Sequence, residues 1–415
     1  MTDASSELSD DIVPLEPQHS SLERNFAPWH KVRKEFIRKE QWNKLIIRYA
    51  VRYLKQELQE ATGNDVWSAD DDVKIPNSIL IDRPLKCLVI PGDDLLDIRS
   101  LHRDTEGIQC YIRYLGFNYR QGSEQPNTRV HIAHNDVTSS HRVTNDSIVL
   151  PDLFQMIAKQ NSQAYQYVKQ LGPFHVVNLD LCDSLFPNKE TDIQACYDGL
   201  HSITAYQMKE MAMPWLLFIT TEVAPREVNP DQFDKLCNPT KTNMKHESFR
   251  DALATIVPKE SLDPNQQVDL AQLDDKQLVD LFGVAIGKAL LSFCSSAGAT
   301  WKLEMRGSHT YCINLDKGVS MLSLAFQFTP ISQPPQDATG ISTLKLNLPA
   351  PFDEAELAIK LVASVQKITD VDTLLKSDVE LQESLLASSA DLLESAGYEK
   401  TAYIQWVHDG ELPVQ

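Results

Sequence analysis

Two aspartates beside a single glycine form the turn best suited to chemistry, Ile90-Pro-Gly-Asp-Asp94. Gly92 lets backbone N–H groups approach a ligand closely at one point, because it has no Cβ atom. Asp93 and Asp94 would attract a cationic ligand group and repel a phosphate. Pro91, Gly92, Asp93 and Asp94 are therefore expected either to bind a positively charged ligand or only to start and cap the helix that follows.

A second pair of carboxylates, Asp180 and Asp183, follows another apolar run, in the segment Asn178-Leu-Asp-Leu-Cys-Asp183. Carboxylates that end a parallel strand lie where such folds bind ligands. Asp180 and Asp183 are candidates for a general base, a substrate anchor or a metal ligand, and equally for capping of their own loop.

Two further polar residues, Asn118 and Asp136, end other apolar runs. Asn118 is expected either to contact a ligand or only to start a turn. The histidines near Asp136 do not predict a metal site, since His131 and His134 would point to opposite faces of a strand.

A basic segment precedes these residues. Residues 31–55 contain nine basic and two acidic side chains, with Trp29, Trp42 and Tyr49 nearby. The basic residues best placed to contact a partner are Lys31, Lys34, Arg38 and Lys39. The segment 29–55 is expected to bind nucleic acid, to bind a protein partner or the acidic C-terminal part of the same chain, or to be a solvated helix face.

The spacing of apolar residues predicts an α/β fold that positions these groups. Helical patterns at 93–108, 151–170 and 193–211 separate apolar runs at 86–90, 112–118, 129–135, 174–181 and 215–221. This alternation is typical of a parallel sheet covered by helices on both faces. Two later runs, 300–304 and 321–328, have no helix between them and predict an antiparallel pair.

Composition divides the chain into four parts. The composition of residues 1–25 predicts a disordered acidic tail, and the pattern of residues 26–78 predicts a basic amphipathic helix followed by a polar linker. Residues 79–335 form the predicted α/β domain, with a helical excursion at 227–280. Residues 336–415 predict an acidic helical extension, whose Leu- and Ala-rich helices are candidates for an oligomer contact.

The bulk composition excludes several classes of protein. A net charge of −19 argues against a general nucleic-acid coat. The chain has no run of 18 apolar residues and no signal pattern at its N-terminus, so no membrane span is expected. Seven scattered cysteines without a Cys-x-x-Cys spacing indicate reduced thiols in a cytoplasmic protein.

Five strand–helix units closed by an antiparallel pair resemble the class I S-adenosylmethionine-dependent methyltransferase fold, over about residues 80–330. That fold has a Rossmann-like sheet, mostly parallel, with its last strand antiparallel. The chain also resembles bacterial methyltransferase-like proteins that carry a Leu-Pro-Gly-x-Asp-Leu-Leu-Asp-Ile turn after a basic helix. The corresponding turn is Ile90-Pro-Gly-Asp-Asp-Leu-Leu-Asp-Ile98.

The resemblance implies S-adenosylmethionine as the cofactor. The cofactor-binding residues that it implies are Pro91, Gly92, Asp93, Asp94, Asn118 and Asp136. Asn118 stands where the family usually has an acid that bonds the ribose hydroxyls. Asp136 stands where the family often has a polar or acidic residue that contacts the adenine amine. Asp180 and Asp183 take the place of catalytic or substrate-facing groups.

Two functions follow as hypotheses. The first is a methyltransferase that acts on an undetermined acceptor. The second is a catalytically inactive methyltransferase-like subunit that binds or regulates, within a bacterial nucleic-acid-processing or phage-defence assembly. The single glycine of the turn and the amide at Asn118 favour the second, whereas the complete sheet and the carboxylates at strand ends favour the first.

Overall fold

A computed structural model describes most of the chain. It covers residues 24–54, 83–119, 128–181, 183–188, 195–258, 266–298, 300–313, 321–331 and 353–410. All but the last two residues of the predicted acidic tail, 1–25, lie outside the described residues. The predicted polar linker lies outside them as well.

A nine-stranded mixed sheet forms the centre of the protein. The strands are β1 (Leu85–Val89), β2 (Ile112–Phe117), β3 (Ile148–Leu150), β4 (Val176–Asp180), β5 (Trp215–Glu222), β6 (Trp301–Met305), β7 (His309–Tyr311), β8 (Met321–Pro330) and β9 (Thr369–Asp370). The first five strands are parallel and follow the order β3-β2-β1-β4-β5. The predicted α/β fold with a mostly parallel sheet is confirmed.

The sheet is covered on both faces because its central strands are apolar at successive positions. In β5, Leu216 and Phe218 belong to one hydrophobic core, and Leu217 and Ile219 belong to the other. Successive side chains of a strand point to opposite faces, so a run without polar alternation needs a covering layer on each side. Two separate cores therefore sandwich the sheet.

The last long strand reverses direction. β8 pairs antiparallel with β5, β6 and β7. The predicted antiparallel pair, 300–304 with 321–328, corresponds to β6 and β8 and is confirmed. β7 was not predicted, because its three residues are too few to give an alternating pattern.

The predicted third strand, 129–135, is wrong. These residues lie in a helix, Thr128–Ser139, and the third strand is Ile148–Leu150. Val130, Ala133 and Val137 are the buried residues of that helix, and their spacing of three and four is the helical period. The apolar residues of this segment therefore follow the period of a helix, not the period of two that a strand requires.

Thirteen α-helices lie among the described residues. They are α1 (Val32–Phe36), α2 (Lys44–Tyr53), α3 (Leu96–Asp104), α4 (Thr128–Ser139), α5 (Gln163–Leu171), α6 (Ala195–Glu210), α7 (Pro230–Asn243), α8 (Glu247–Leu253), α9 (Asp275–Ser296), α10 (Glu354–Val365), α11 (Val371–Ser377), α12 (Val379–Ser395) and α13 (Lys400–Gly410). The predicted helical excursion contains α7 and α8, which pack against α9 and α10. Asn229 caps α7, which begins at a proline, as helix starts favour.

One helix in the described part of the chain, α9, is long and apolar enough to cross a membrane. Most of its apolar stretch, 83%, is buried inside the protein, and a capping box at Asp274 and Gln277 fixes its start. This burial is what the central helix of a folded domain requires, since a helix that is apolar all round needs neighbours on every side.

The N-terminal basic segment is built into the protein rather than laid on its surface. It runs through a short 3₁₀ turn (Pro28–His30), α1, a π-helical turn (Ile37–Asn43) and α2. Its apolar side chains belong to the same core as those of α11, α12 and α13. The side chain of Arg33 forms an ion pair with Asp372 of α11. The basic segment therefore docks against the acidic C-terminal part of the same chain.

The C-terminal helical region is divided between the two faces of the sheet. α10 packs against α8 and α9 in one core, and α11, α12 and α13 belong to the other. The predicted acidic extension is mostly helical where it is described, with the two-residue strand β9 between α10 and α11, and it completes both layers that cover the sheet.

Candidate functional site

The carboxyl ends of the central strands open onto a cavity of about 270 Å³, the strand-end cavity. It lies between β1 and β4, where the order of the parallel strands reverses and doubly wound sheets bind ligands. The cavity is lined by Trp29, Arg38, Ile90, Pro91, Gly92, Asp93, Asp94, Leu96, Asp97, Phe117, Asn118, Tyr119 and Asp180. The structure thus brings together six residues that the sequence nominated for a cofactor or for catalysis: Pro91, Gly92, Asp93, Asp94, Asn118 and Asp180. Arg38, nominated for a partner, lies on the same wall.

The turn after β1 is shaped by Leu95 rather than by its aspartates. Leu95 has a left-handed backbone, with φ of 52°, directly before α3. A left-handed leucine is uncommon, and the complete burial of its side chain opposes the strain. The N-cap residue of α3 is Leu95, whose side chain forms no capping hydrogen bond, so neither Asp93 nor Asp94 stands at the N-cap position itself.

Asp94 joins three parts of the chain. Both of its carboxylate oxygens accept hydrogen bonds from Arg129 of α4, at 2.7 and 2.6 Å. Tyr398, between α12 and α13, donates its hydroxyl proton to the same carboxylate at 2.8 Å. A bidentate guanidinium pair is among the strongest and most directional contacts of a carboxylate. With 4% of its surface exposed, Asp94 is a structural anchor at the edge of the cavity.

A buried histidine extends this anchor. The backbone N–H of Ala27 donates to Nδ1 of His30 at 3.1 Å, so Nε2 carries the ring proton and points to the hydroxyl of Tyr398 at 3.3 Å. Burial lowers the pKa of His30 to about 3, and the nearby Arg38 adds to the shift. The neutral ring therefore ties the N-terminal segment to the Asp94 anchor.

Asp93 and Asn118 form a second, looser contact on the cavity wall. The side-chain amide of Asn118 donates to the carbonyl of Pro91 at 2.9 Å and to the carboxylate of Asp93 at 3.3 Å. These bonds fix the orientation of the amide. Its oxygen, Oδ1, is buried and has no hydrogen-bond partner among the described residues. A buried acceptor without a donor costs free energy, and a ligand hydroxyl or amine would remove that cost.

Asp180 ends β4 and is bound to the ammonium of Lys34 through Oδ1. The side chain of Asp180 remains 18% exposed, whereas that of Lys34 is 5% exposed. Burial alone would lower the pKa of Lys34, but the charge of Asp180 and the neighbouring Tyr311 and Asp97 raise it above its usual value. Lys34 therefore stays charged beside the cavity.

Arg38 crosses the cavity wall from the N-terminal segment. Its guanidinium donates to Asp97 in the first turn of α3 at 2.8 Å and to the carbonyl of Trp29 at 3.1 Å. Burial opposes its charge, yet Asp97 and Glu35 raise the pKa of Arg38 above the usual value. The cavity thus has one arginine among several carboxylates, an arrangement that suits a ligand carrying both a cationic and an anionic group.

Residues 23–408 match the model of one protein family, described as PP_RS20740-like. The chain belongs to the PP_RS20740-like family. No curated protein matches the sequence.

In this PP_RS20740-like chain the second carboxylate of the β4 segment lies apart from the first. Asp183 is exposed and does not line the strand-end cavity. Its backbone carbonyl accepts a hydrogen bond from the N–H of Glu222 at 3.3 Å. Asp180 and Asp183 are therefore not a catalytic pair within the strand-end cavity.

Asp136 does not reach the cavity either. It was expected to follow the third strand, but it lies on the exposed face of α4 and forms a 2.6 Å ion pair with Arg99. Its side chain is 58% exposed. Asp136 is a helix residue because residues 129–135 belong to α4, whereas the sequence predicted a strand that ends just before Asp136.

The cations nominated for nucleic acid are mostly interior. Lys31, Lys34 and Arg38 have 6%, 4% and 3% of their surface exposed, and Lys39 is half-buried. The ammonium of Lys31 donates to the carbonyl of Ile313 at 2.5 Å. Binding of a phosphate backbone requires charges that face solvent, so in this structure three of these four side chains are not available to it.

Four polar or aromatic residues of the cavity wall were not assigned to this site from the sequence. They are Trp29, Arg38, Asp97 and Tyr119. Trp29 and Tyr119 are 47% and 50% exposed, which is unusual for large aromatic side chains. Asp97 lies three residues after Asp94, and a search for carboxylates one helical turn beyond the loop would have found it.

Proposed function

We propose that the protein binds S-adenosylmethionine in the strand-end cavity and transfers its methyl group to an acceptor. The observation that carries this proposal is the convergence of the turn after β1, the amide at the end of β2 and the carboxylate at the end of β4 on one cavity. Those are the positions implied by the resemblance to class I methyltransferases. The parallel order β3-β2-β1-β4-β5 closed by antiparallel β8 supports the same assignment.

The charges of the cavity fit a sulfonium amino acid better than a nucleoside phosphate. Asp93, Asp97 and Asp180 would favour the sulfonium and amine, and Arg38 would bind the carboxylate of the methionyl group. A phosphate would meet the four carboxylates of this wall, Asp94 included, and would be repelled. The cavity therefore selects against dinucleotides.

The turn also leaves room for a ligand at its one glycine. A Cβ atom added to Gly92 would meet no atom within 4 Å in the described part of the chain, and its backbone is not left-handed. The fold itself therefore does not require glycine here. Close approach of a ligand to this backbone is a reason for a residue without a side chain.

Asn118 and Asp93 together would take the place of the family's ribose-binding acid. The unpartnered Oδ1 of Asn118 would accept a hydrogen bond from one ribose hydroxyl. Asp93, which the same amide holds at 3.3 Å, would supply the carboxylate from the neighbouring loop. The acid that is missing at the end of β2 is thereby replaced by one from the turn after β1.

When bound, S-adenosylmethionine supplies an electrophilic methyl group. Asp180 is the residue of the cavity best placed to accept a proton from an acceptor, since it lies at the end of β4 and is partly exposed. Burial raises the pKa of Asp180, although the charge of Lys34 opposes the shift. A carboxylate with a raised pKa is a stronger general base.

Calorimetry on the purified protein with S-adenosylmethionine and S-adenosylhomocysteine tests the proposal. We expect both to bind, with a dissociation constant below about 1 mM. Gly92→Val should weaken binding at least tenfold, because the added side chain enters the cavity, and should leave the unfolding midpoint unchanged. Gly107→Val is the matched control, since Gly107 also has open space around it and lies outside the cavity.

Equal affinity of the Gly92→Val and Gly107→Val variants would place the ligand elsewhere. Failure of the unaltered protein to bind either compound near 1 mM would remove the methyltransferase assignment.

A binding module without catalysis is the second candidate. The observation that favours it is the ion pair of Asp180 with Lys34, which stabilises the carboxylate in its charged form and occupies one oxygen. Such a module would bind S-adenosylmethionine and transfer nothing. Incubation with methyl-labelled cofactor and a mixture of candidate acceptors separates the two functions, because only an enzyme consumes the cofactor.

A further inference from the structure

A second cavity, of about 150 Å³, adjoins the strand-end cavity. It is lined by Pro28, Trp29, Lys31, Arg33, Lys34, Asp180, Leu181, Tyr311, Cys312, Ile313 and Met321, and we call it the side cavity. The two cavities share Trp29 and Asp180. Asp180 is therefore the one titratable wall residue that they have in common among those described.

The polar groups of the side cavity form a connected set. Lys34 is bound to Oδ1 of Asp180 and lies 3.5 Å from the hydroxyl oxygen of Tyr311. The ammonium of Lys34 also lies over the ring of Trp42, 4.6 Å from its centroid. These contacts hold the ammonium in place, so that its charge faces Asp180 and Tyr311 rather than solvent.

The remaining walls are mostly apolar. Pro28, Trp29, Leu181, Ile313 and Met321 surround the polar set. A volume of about 150 Å³ is the size that accommodates a benzene ring in another protein. The volume and lining thus suit one ring better than a nucleotide or a peptide.

We infer that the side cavity binds the methyl acceptor, and that this acceptor is a neutral single-ring molecule with one hydroxyl group. The inference rests on the proposed function, because it assigns the acceptor to the cavity next to the cofactor. The hydroxyl would donate to the oxygen of Asp180 opposite the one that binds Lys34. The ring would pack among Trp29, Leu181 and Met321.

Charge selects a hydroxyl over an amine. Three cations, Lys31, Lys34 and Arg33, and one carboxylate line the side cavity. An ammonium ligand would be repelled by the cations, whereas a hydroxyl that loses its proton develops a negative charge that Lys34 stabilises. The acceptor is therefore expected to react through oxygen.

The atoms and electrons of the proposed methyl transfer balance with S-adenosylmethionine, the hydroxyl of the acceptor and Asp180. The hydroxyl oxygen forms a bond to the methyl carbon, the carbon–sulfur bond of the sulfonium breaks, and its electron pair stays on sulfur. The hydroxyl proton passes to Asp180 and then to solvent. The products are a methyl ether and the thioether S-adenosylhomocysteine.

Ligand-observed NMR with the full chain tests the side cavity, with phenol, benzene and benzylamine as probes. We expect phenol to bind about tenfold more tightly than benzene, because its hydroxyl donates to a charged acceptor, and benzylammonium to bind more weakly than phenol. Equal binding of phenol and benzene, or tighter binding of benzylammonium, would contradict the inference.

Two variants, with one control variant, test whether phenol binds in the side cavity. Ile313→Phe fills the side cavity and should weaken phenol binding at least tenfold, whereas Ile132→Phe makes the same change at an exposed isoleucine and should not. Asp180→Asn should reduce the preference for phenol over benzene to about threefold or less, since a neutral acceptor makes the weaker bond. Phenol binding unchanged in both Ile313→Phe and Asp180→Asn overturns the inference.

The cofactor experiment separates the two proposals. Binding of S-adenosylhomocysteine without selective phenol binding would overturn the acceptor assignment and leave the proposed function standing. Selective phenol binding without cofactor binding would overturn the methyl transfer. Formation of anisole from phenol and S-adenosylmethionine, lost in Ile313→Phe and kept in Ile132→Phe, supports both.

Discussion

Asp94 and Asp180 lie at the ends of neighbouring strands, line the same cavity and each bind a cation from a distant part of the chain. They differ in how fully their oxygens are bonded. Arg129 and Tyr398 take both oxygens of Asp94, which is 4% exposed. Asp180 has one oxygen bound by Lys34 and is 18% exposed. A strand-end position alone thus does not leave a carboxylate open to a ligand; the number of donors that the fold already supplies decides.

The same substitution at both aspartates should have its larger effect on folding at Asp94. We expect Asp94→Asn to lower the free energy of unfolding by about 3 kcal/mol, because an amide NH₂ would face the guanidinium of Arg129 and leave a partly buried charge without its partner. Urea denaturation measures this change. Asp136→Asn is the control, since Asp136 forms an exposed ion pair with Arg99 and should lose less than about 1 kcal/mol. If Asp94→Asn lowers the free energy of unfolding no more than Asp136→Asn does, Asp94 is not a structural anchor.

Asp180→Asn should have its larger effect on catalysis. If Asp180 is the proposed general base, its loss should reduce the proposed methyl transfer about 100-fold or more. Stability should fall by only about 1 kcal/mol, because the amide oxygen still accepts from Lys34 and the site is partly open to solvent. Turnover and urea denaturation of the same preparation give the two numbers. A stability loss as large as that of Asp94→Asn, with turnover retained, would make the two aspartates equivalent and remove the contrast.

The effect that is smallest at neutral pH concerns the His30 link to the Asp94 anchor, and it grows as the pH falls. The pKa of folded His30 is about 3, whereas an unfolded histidine has a pKa near 6.5. Between these values the unfolded state binds more protons, so the free energy of unfolding falls as the pH is lowered from about 6.5 toward 3, by up to about 1.4 kcal/mol per pH unit for this group.

His30→Asn should make that dependence shallower, because the asparagine oxygen can replace Nδ1 as acceptor and does not titrate. The slope of the free energy of unfolding between pH 6.5 and 4 measures it. His175 and His309 also have lowered pKa values, of about 3 and about 4, and contribute a slope of the same sign in both proteins. An unchanged slope in His30→Asn would show that His30 is not held neutral by the fold.

Much of the sheet could be predicted because its signal is local. The strands at 86–90, 112–118, 174–181 and 215–221 are mostly apolar runs, and the observed strands lie within these ranges or differ by one residue. The third strand could not be predicted, since Ile148–Leu150 has only three residues and the preceding helix α4 offered a longer apolar run. Short edge strands carry too few residues for a period to be recognised.

The basic segment is the part of the candidate site that the sequence could least decide. Its lysines and arginines left open nucleic acid, a protein partner or the acidic C-terminal part of the same chain, and a solvated helix face, because charged side chains are rarely buried unless they are paired. The partners exist but are remote: Asp180 for Lys34, Asp97 for Arg38 and Asp372 for Arg33. No spacing within the segment could reveal them.

The sequence by itself determined most of the succession of strands and helices, the third strand and β7 apart, and it determined that carboxylates follow β1 and β4, because both depend on residues close together in the chain. Only the tertiary structure decided which of those carboxylates remains open to a ligand. Tyr398 reaches Asp94 across 304 positions, and Lys34 reaches Asp180 across 146. Burial and pairing set the charge and the availability of a carboxylate, and both are properties of neighbours that folding brings from far along the chain.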